Sequence, residues 1–190
     1  MAKTGERKAQ ILQTLAAMLE NPKGERITTA LLAARLEVSE AALYRHFSSK
    51  AQMFEGLIEF IEQTVFTLVN KIQAEEKDAM KQIESTIATL LGFAQKNPGM
   101  TRVLIGDALV NEDERLQSRM NQFLDRLEAT LRQSARLAVS SGSLPADWDV
   151  NAYANAVIAF VVGRWHQYAK SGFKRSPLDG WPQQWRVFAL

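Results

Sequence analysis

The stretch VSEAALYRHFSSK, Val38 to Lys50, combines two kinds of residue in one short predicted helix. Leu43 and Phe47 lie four positions apart, so a helix places them on one face, where both can be buried. Between them, the Tyr, Arg and His at positions 44–46 fall on other faces of the helix. A helix that buries an apolar face and leaves hydrogen-bonding side chains outside can bind a molecule at its surface.

A second short helix is predicted just before this one, at residues 28–36, with Thr28 or Thr29 as its N-cap. The turn Glu37-Val38 joins it to the helix that begins after Ser39. Glycine is common in such turns because it reaches a positive φ, so Glu37 predicts a strained or differently shaped turn. The apolar residues of the pair can build one small core: Leu32, Leu36, Val38, Leu43 and Phe47. This is a helix-turn-helix pattern, in which the second helix lies in the DNA major groove.

The outward-facing residues of this pair suit a DNA duplex. The hydroxyl of Tyr44 and the ammonium of Lys50 suit phosphate oxygens, as do free backbone N–H groups at helix starts. Arg45 or His46 could donate to guanine or instead to phosphate, and alanine methyl groups could contact thymine methyls. The predicted DNA-binding residues are Thr28, Thr29, Ser39, Glu40, Ala41, Ala42, Tyr44, Arg45, His46 and Lys50.

Helical periodicity extends over the rest of the chain, with no predicted strand. A first helix ends at Asn21-Pro22-Lys23-Gly24, and later helices are predicted at about 50–74, 78–96, 114–138, 149–170 and within the last ten residues. The predicted core stripe of the 50–74 helix is Phe54, Leu57, Ile58, Ile61, Val65, Leu68, Val69 and Ile72. The fold class is therefore all-α, with a three-helix helix-turn-helix DNA-binding head at residues 1–50 and a second helical domain at residues 51–190, to which the family resemblance described below assigns dimerisation and partner binding.

Composition narrows the class of protein. The chain has 190 residues, no cysteine and a formal net charge of +2 at pH 7. The lack of cysteine excludes disulfides and thiolate metal sites, and fits a reducing compartment. No apolar run approaches the roughly 20 residues that span a bilayer, and the N-terminus has no signal core. These observations predict a cytoplasmic protein without a membrane segment, whose mildly basic first 50 residues permit binding to a polyanion.

Nothing in the sequence supports catalysis. One of the two histidines, His46, lies in the predicted recognition helix. Glu112, Asp113 and Glu114 are consecutive, so they point in different directions and suit a helix start rather than a metal site. The chain has no phosphate loop, nucleophile elbow or zinc motif. We therefore predict no catalytic residue, no metal and no cofactor.

The segment ITTALLAARLEVSEAALYRHFSSKAQMF, Ile27 to Phe54, resembles the DNA-binding domain of the TetR family. This resemblance implies a helix-turn-helix head followed by a helical domain that dimerises. The motifs GLIEFIE (56–62), LLGFAQKNPGMTR (90–102) and EDERLQSRMNQFLDRLEATLRQ (112–133) resemble the members of this family that act in nucleoid occlusion. For such a protein the resemblance implies a nucleoid-associated homodimer on palindromic double-stranded DNA, which inhibits the division-ring protein FtsZ while bound to DNA.

The same resemblance implies that the FtsZ C-terminal tail binds at Phe60, Gly92, Lys96 and Asn97. On the residues alone, Phe60 lies about 120° from the core stripe of its helix, so it is either packed by a further helix or exposed for a partner. Gly92 lowers helix propensity by roughly 1 kcal/mol, which close approach of another chain or packing within the protein explains equally well. Asn97 also has a structural role as the cap of the following helix.

The predicted helix at 149–170 is apolar nearly all round, so all of its sides must be covered. A twofold partner would cover one side, and a dimer suits two major grooves one helical turn apart. A central helix buried within a monomer is the alternative. A second function also stays open, a transcriptional repressor released by a small molecule in an apolar pocket. The candidate pocket residues are Trp148, Trp165, His166 and Tyr168.

Overall fold

The computed structural model describes residues 4–21 and 27–189, and all regular structure within them is helical. The helices are α1 (Thr4–Leu19), α2 (Thr29–Arg35), α3 (Glu40–Tyr44), α4 (Lys50–Glu75), α5 (Ala79–Lys96), α6 (Pro98–Leu104), α7 (Glu114–Ser140), α8 (Val150–Lys170) and α9 (Trp181–Phe188), with a 3-10 turn at Asp107–Leu109. The all-α prediction is confirmed. The predicted stop of the first helix at residues 22–24 lies outside the described residues.

Local side-chain caps explain where the helices of the head begin. The Oγ1 of Thr28 accepts a hydrogen bond from the Leu31 N–H at 3.1 Å, so Thr28 and not Thr29 is the cap of α2. Ser39 and Ser49 cap α3 and α4 in the same way, as predicted. Each cap satisfies a backbone N–H that has no partner within its own helix.

Helix α3 is shorter than predicted and ends at Tyr44 rather than near His46. The His46 N–H donates to the Leu43 carbonyl at 2.9 Å, which is the three-residue spacing of a turn. This early end lets the chain reverse before Ser49 starts α4. Glu37 has a φ of 55°, so it adopts the left-handed conformation that was expected to strain this turn.

The buried stripe of α4 follows the prediction except at its C-terminal end. Leu68 is 42% exposed and Ile72 is half-buried, whereas Phe66 is buried. The ring of Phe66 packs edge-on against Phe123 of α7, with centroids 5.5 Å apart. The prediction of Leu68 as a core residue is therefore wrong, because Phe66 and Val69, and not Leu68, lie on the packed side of this part of α4.

Helix α8 is covered by its own chain on one side only. Its buried face carries Tyr153, Ala154, Val157, Ile158, Val161, Trp165 and Tyr168. The opposite face exposes small residues, Ala152, Ala156, Ala159 and Gly163, four or three positions apart. The fully buried central helix of a monomer is thus excluded for α8, and its small-residue face is left for another chain.

The described residues contain no helix that is both long and apolar enough to cross a membrane.

Replacing Glu37 with glycine is expected to stabilise the fold. A left-handed φ costs a residue with a Cβ about 1 kcal/mol, and glycine avoids most of that cost. Glu37→Gly should therefore raise the urea midpoint relative to Glu37→Ala, which removes the same carboxylate but keeps the Cβ. Equal midpoints for the two variants, measured at one protein concentration, would contradict a strained turn.

Candidate nucleic-acid interface and partner groove

Helix α3 presents opposite faces to the core and to the solvent. Leu43 is 1% exposed and packs in the head, whereas Tyr44 is 45% exposed. Arg45 and the first turn of α3, Glu40 and Ala41, are also exposed. The polar and apolar residues of the opening stretch are therefore separated as predicted, and the outer face can contact a duplex.

A polar contact joins the N-terminal ends of α2 and α3. The Oγ1 of Thr29 donates to Oε2 of Glu40 at 2.6 Å, and the Tyr44 hydroxyl lies 3.4 Å from the same Oγ1. Thr28 and Ser39 are exposed at these two helix starts. These predicted DNA-binding residues thus lie along one edge of the head, and Glu40 is held by Thr29 rather than fully available to a base.

Two other predicted DNA-binding residues are less accessible than expected. Ala42 and His46 are half-buried, and the Nδ1 atom of His46 is buried without a hydrogen-bond partner among the described residues. His46 follows the last turn of α3, where the chain folds back towards α4. The imidazole is therefore oriented partly by this turn, and Arg45 is the better placed of the two for a nucleic acid.

Lys50 is not free for a phosphate, contrary to the prediction. Its Nζ pairs with Oε1 of Glu112, and the ammonium lies 5.6 Å from the centre of the Phe54 ring. The Lys50 and Glu112 side chains are only 22% and 14% exposed. Sequence reasoning missed this pair because Glu112 is 62 positions away and reaches Lys50 only through the packing of α7 against α4.

A groove between α4 and α5 brings together the four predicted partner-binding residues. It has a volume of ≈ 490 Å³ and is lined by Phe60, Thr64, Leu68, Ala88, Thr89, Gly92, Phe93, Lys96 and Asn97. Phe60 is 48% exposed, so no further helix of the described chain packs over this ring. Phe60, Thr64 and Leu68 repeat every four residues and form the α4 wall of the groove.

Gly92 is not required by packing within the chain. A Cβ added at Gly92 would meet only Cδ1 of Leu178, at 4.0 Å, which is an ordinary van der Waals contact. Of the two explanations for this helical glycine, tight packing inside the protein is therefore the weaker one. The missing side chain instead leaves the backbone of α5 accessible in the wall of the groove.

Asn97 caps a different helix from the one predicted. It occupies the N-cap position of α6, but its side chain makes no cap bond there. Its Nδ2 donates instead to the Phe93 carbonyl at 2.8 Å, in the last turn of α5. The last carbonyls of a helix have no N–H partner within that helix. The Phe93 carbonyl of α5 therefore accepts a hydrogen bond from the Asn97 side chain.

The four residues suggested for a small-molecule pocket do not converge. Trp165 is buried and donates from Nε1 to the Leu90 carbonyl at 3.1 Å, while the Tyr168 hydroxyl donates to the Gln95 carbonyl at 3.1 Å. His166 is exposed on the other side of α8. Trp148 instead packs edge-on against Tyr153, and burial raises the pKa of Tyr153 to about 12.

The acidic residues at 112–114 have structural roles. Glu112 pairs with Lys50, Asp113 caps α7 by accepting from the Arg115 N–H, and Glu114 is the first residue of α7. No group of three metal-ligating side chains occurs in the part of the chain that the structure describes. The cap at Asp113 and the first helical residue, Glu114, agree with the helix start expected there.

Comparison with known proteins identifies the class. The family model "Bacterial regulatory proteins, tetR family" matches residues 23–57, and "Tetracyclin repressor-like, C-terminal domain" matches residues 77–190. Among solved structures, the TetR family transcriptional regulator PfmR from Thermus thermophilus superposes with a TM-score of 0.79 at 20% identity, covering 94% of this chain and 96% of its own. The fatty acid degradation regulator FadR from Bacillus halodurans gives 0.80 at 13% identity, covering 98% and 96%. These likenesses show a TetR-like fold.

Curated relatives narrow the class further. The nucleoid occlusion factor SlmA of Marinomonas sp. (strain MWYL1) is 50% identical over 187 residues, which cover 98% of this chain and 95% of that protein. The protein of the same name from Alteromonas mediterranea is 50% identical over 186 residues, with the same coverage of both chains. The chain therefore belongs to the TetR family and, within it, to the nucleoid occlusion factors SlmA. Members of this family are DNA-binding regulators and not enzymes, as the sequence predicts.

Removing the guanidinium of Arg45 is expected to weaken binding of duplex DNA. If Arg45 contacts phosphate, Arg45→Ala should weaken binding to all sequences and lower the slope of log K against log salt by about 0.9. If it contacts a base, the loss should be roughly 10-fold or more and confined to the specific site. Fluorescence anisotropy of labelled specific and random duplexes, over a salt series, separates the two.

The exposed Lys81 at the start of α5 provides the control for this charge change. Lys81→Ala removes one positive charge from the same protein far from α3 and should leave both affinities unchanged. Normal binding of the Arg45→Ala protein at physiological salt would remove Arg45 from the interface.

Proposed function

We propose that this chain is a nucleoid occlusion factor, a homodimer that binds palindromic double-stranded DNA and inhibits FtsZ ring assembly while DNA-bound. The observation that carries the proposal is the 50% identity to proteins of this name over nearly the whole length of both chains. Residues 1–50 would supply the DNA-binding head, and residues 51–190 would supply the dimer contact and the partner groove. The protein would then act in the cytoplasm, on the nucleoid.

The outer face of α3 is the proposed reading surface for DNA. Tyr44 and Arg45 are exposed there, beside the exposed edge formed by Thr28, Ser39 and Glu40. A dimer places two such faces against successive major grooves, about 34 Å apart on one side of the duplex. A palindromic site matches this arrangement because its half-sites are related by the same twofold axis as the two protein chains.

The exposed face of α8 is the proposed centre of the dimer. A Cβ added at Gly163 would meet no atom within 4 Å. The alanines on the same face have short side chains, so a second helix can approach closely. Leu137 on α7, which packs beside α8, is 44% exposed. Covering these apolar atoms with a second copy removes them from water, which favours association.

The groove between α4 and α5 is the proposed site of the FtsZ C-terminal tail. Its two walls offer apolar surface from Phe60 and Leu68 on one side and Phe93 on the other, so a short peptide can bury apolar side chains between them. Lys96 is exposed at the end of α5 and has no ion-pair partner among the described residues. An acidic group of the bound peptide would supply that partner.

The test is the anisotropy of a labelled FtsZ C-terminal tail peptide as the protein is added, with and without palindromic DNA. The wild-type protein should bind the peptide. Phe60→Ala should weaken binding roughly 10-fold, because it removes an apolar anchor, and Lys96→Asp should weaken it more at low salt than at high salt.

Two variants control for unspecific effects of these changes. Lys81→Asp makes the same charge reversal at the opposite end of α5, and Val110→Ala removes an exposed apolar side chain outside the groove. Both should bind the peptide as the wild type does. No peptide binding in either DNA state, with DNA binding intact, would overturn the FtsZ contact and favour a TetR-type repressor released by a small molecule.

Gly92 allows a sharper test of how the peptide lies in the groove. An alanine has room there in the free protein and restores the roughly 1 kcal/mol of helix propensity that glycine lacks. Gly92→Ala should therefore raise the melting temperature and weaken peptide binding if the peptide approaches the α5 backbone. Unchanged peptide affinity in a stabilised Gly92→Ala protein would place the peptide elsewhere in the groove.

A further inference from the structure

A chain of charged side chains lies at the junction of head and body, outside both proposed binding sites. Arg102 on α6 donates from Nε to Oδ2 of Asp107 at 2.8 Å. Lys170, the last residue of α8, donates from Nζ to Oδ1 of the same carboxylate at 2.7 Å. The carboxylate of Asp107 therefore connects α6 with the C-terminal end of α8.

The guanidinium of Arg102 also contacts the end of α1. Its Nη1 lies 3.4 Å from the Leu19 carbonyl oxygen and 3.3 Å from that of Asn21. Carbonyls at this end of a helix lack partners within the helix and carry the negative end of its dipole, so they favour a cation. The side chain of Arg102 is only 13% exposed, which holds these contacts in a packed environment.

The backbone of α6 is pressed against the same turn of α1. A Cβ at Gly99 would lie 1.9 Å from the Ala16 carbonyl oxygen, so only glycine fits this approach. The Oγ1 of Thr101 donates to the carbonyls of Ala94 and Asn97, both at 3.0 Å, which holds α6 to the end of α5. Helix α6 thus acts as a rigid spacer between the head and the body.

We propose that Arg102, Asp107 and Lys170 are positioning residues that together set the distance between the two DNA-binding heads of the dimer. Helix α1 packs within the head, and α8 carries the face assigned to the twofold contact. The linked side chains of Arg102, Asp107 and Lys170 join these two helices through α6 and the 3-10 turn that follows it. Without it, each head still binds a half-site but tilts more freely relative to the other head. The inference rests on the proposed binding of palindromic DNA by a dimer.

The charge state of Asp107 supports this role at neutral pH. Burial disfavours its carboxylate, but the hydrogen bonds and charges of Lys170 and Arg102 outweigh this cost and lower the pKa of Asp107. The carboxylate therefore stays ionised, and both cations remain paired with it.

The test measures affinity against half-site spacing. A palindrome is first selected from random DNA on the wild-type protein. Binding is then compared for this duplex, for duplexes with one base pair inserted or removed between the half-sites, and for a single half-site. Arg102→Gln and Lys170→Gln should lower the preference for the native spacing roughly 5-fold or more while half-site affinity stays unchanged.

Arg119→Gln is the matched control. It breaks the Arg119–Glu62 ion pair, whose Nη2 to Oε2 distance is 2.6 Å and which joins α7 to α4 within the body. The Arg119 side chain is 33% exposed, between Arg102 at 13% and Lys170 at 65%, and this variant should keep the wild-type spacing preference. The comparison separates a positioning role from a general loss of stability.

The outcomes distinguish this proposal from the proposed function. Lys170 is 65% exposed, so Lys170→Gln leaves the core untouched and decides the matter even if Arg102→Gln folds poorly. An unchanged spacing preference in Lys170→Gln, with palindrome binding intact, would overturn the positioning role alone. A wild-type protein that binds no palindrome would overturn the proposed function and this inference with it.

Discussion

Helix α4 is the constraint on which the rest of the structure depends. It runs without a break over Lys50–Glu75, a length of about 39 Å for 26 residues at 1.5 Å each. Its first residue lies in the head and pairs with Glu112 of the body, while its middle presents Phe60 to the groove. Because this helix is packed along most of its length, the DNA-binding face and the groove keep a defined relation to each other.

The head and the body share one apolar core. Buried residues form a continuous cluster from Ile11 in α1, through Phe54 in α4, to Trp165 in α8. A division at residue 50 therefore separates roles along the chain rather than two independently packed units. Two polar contacts at the junction, from Lys50 to Glu112 and from Arg102 to Asp107, add charge-assisted hydrogen bonds of defined geometry to this core.

Two of the exposed surfaces on the described part of the chain differ in character. The exposed face of α8 is lined by alanine and glycine, whose short side chains let another helix approach closely. The groove between α4 and α5 is concave and carries exposed aromatic and aliphatic side chains at Phe60 and Leu68. A twofold copy of the chain suits the first surface, and a short peptide suits the second, because a concave apolar groove buries separate side chains one at a time.

The sequence by itself determined what depends on short-range contacts. The helix starts at Thr28, Ser39 and Ser49 follow from hydrogen bonds that span three residues, and the separation of Leu43 from Tyr44 follows from helical period alone. The family also follows from such local motifs, because they set the head and its turn.

Only the tertiary structure decided which side chains are free. Lys50 is paired because Glu112 reaches it from 62 positions away, and Leu68 is exposed because Phe66 and Val69 take the packed side of this part of α4. The Asn97 side chain likewise caps the end of α5 rather than the start of α6, because the path of the chain places its amide beside the Phe93 carbonyl. Helical periodicity describes one helix at a time, whereas burial and pairing depend on neighbours that arrive from distant parts of the chain.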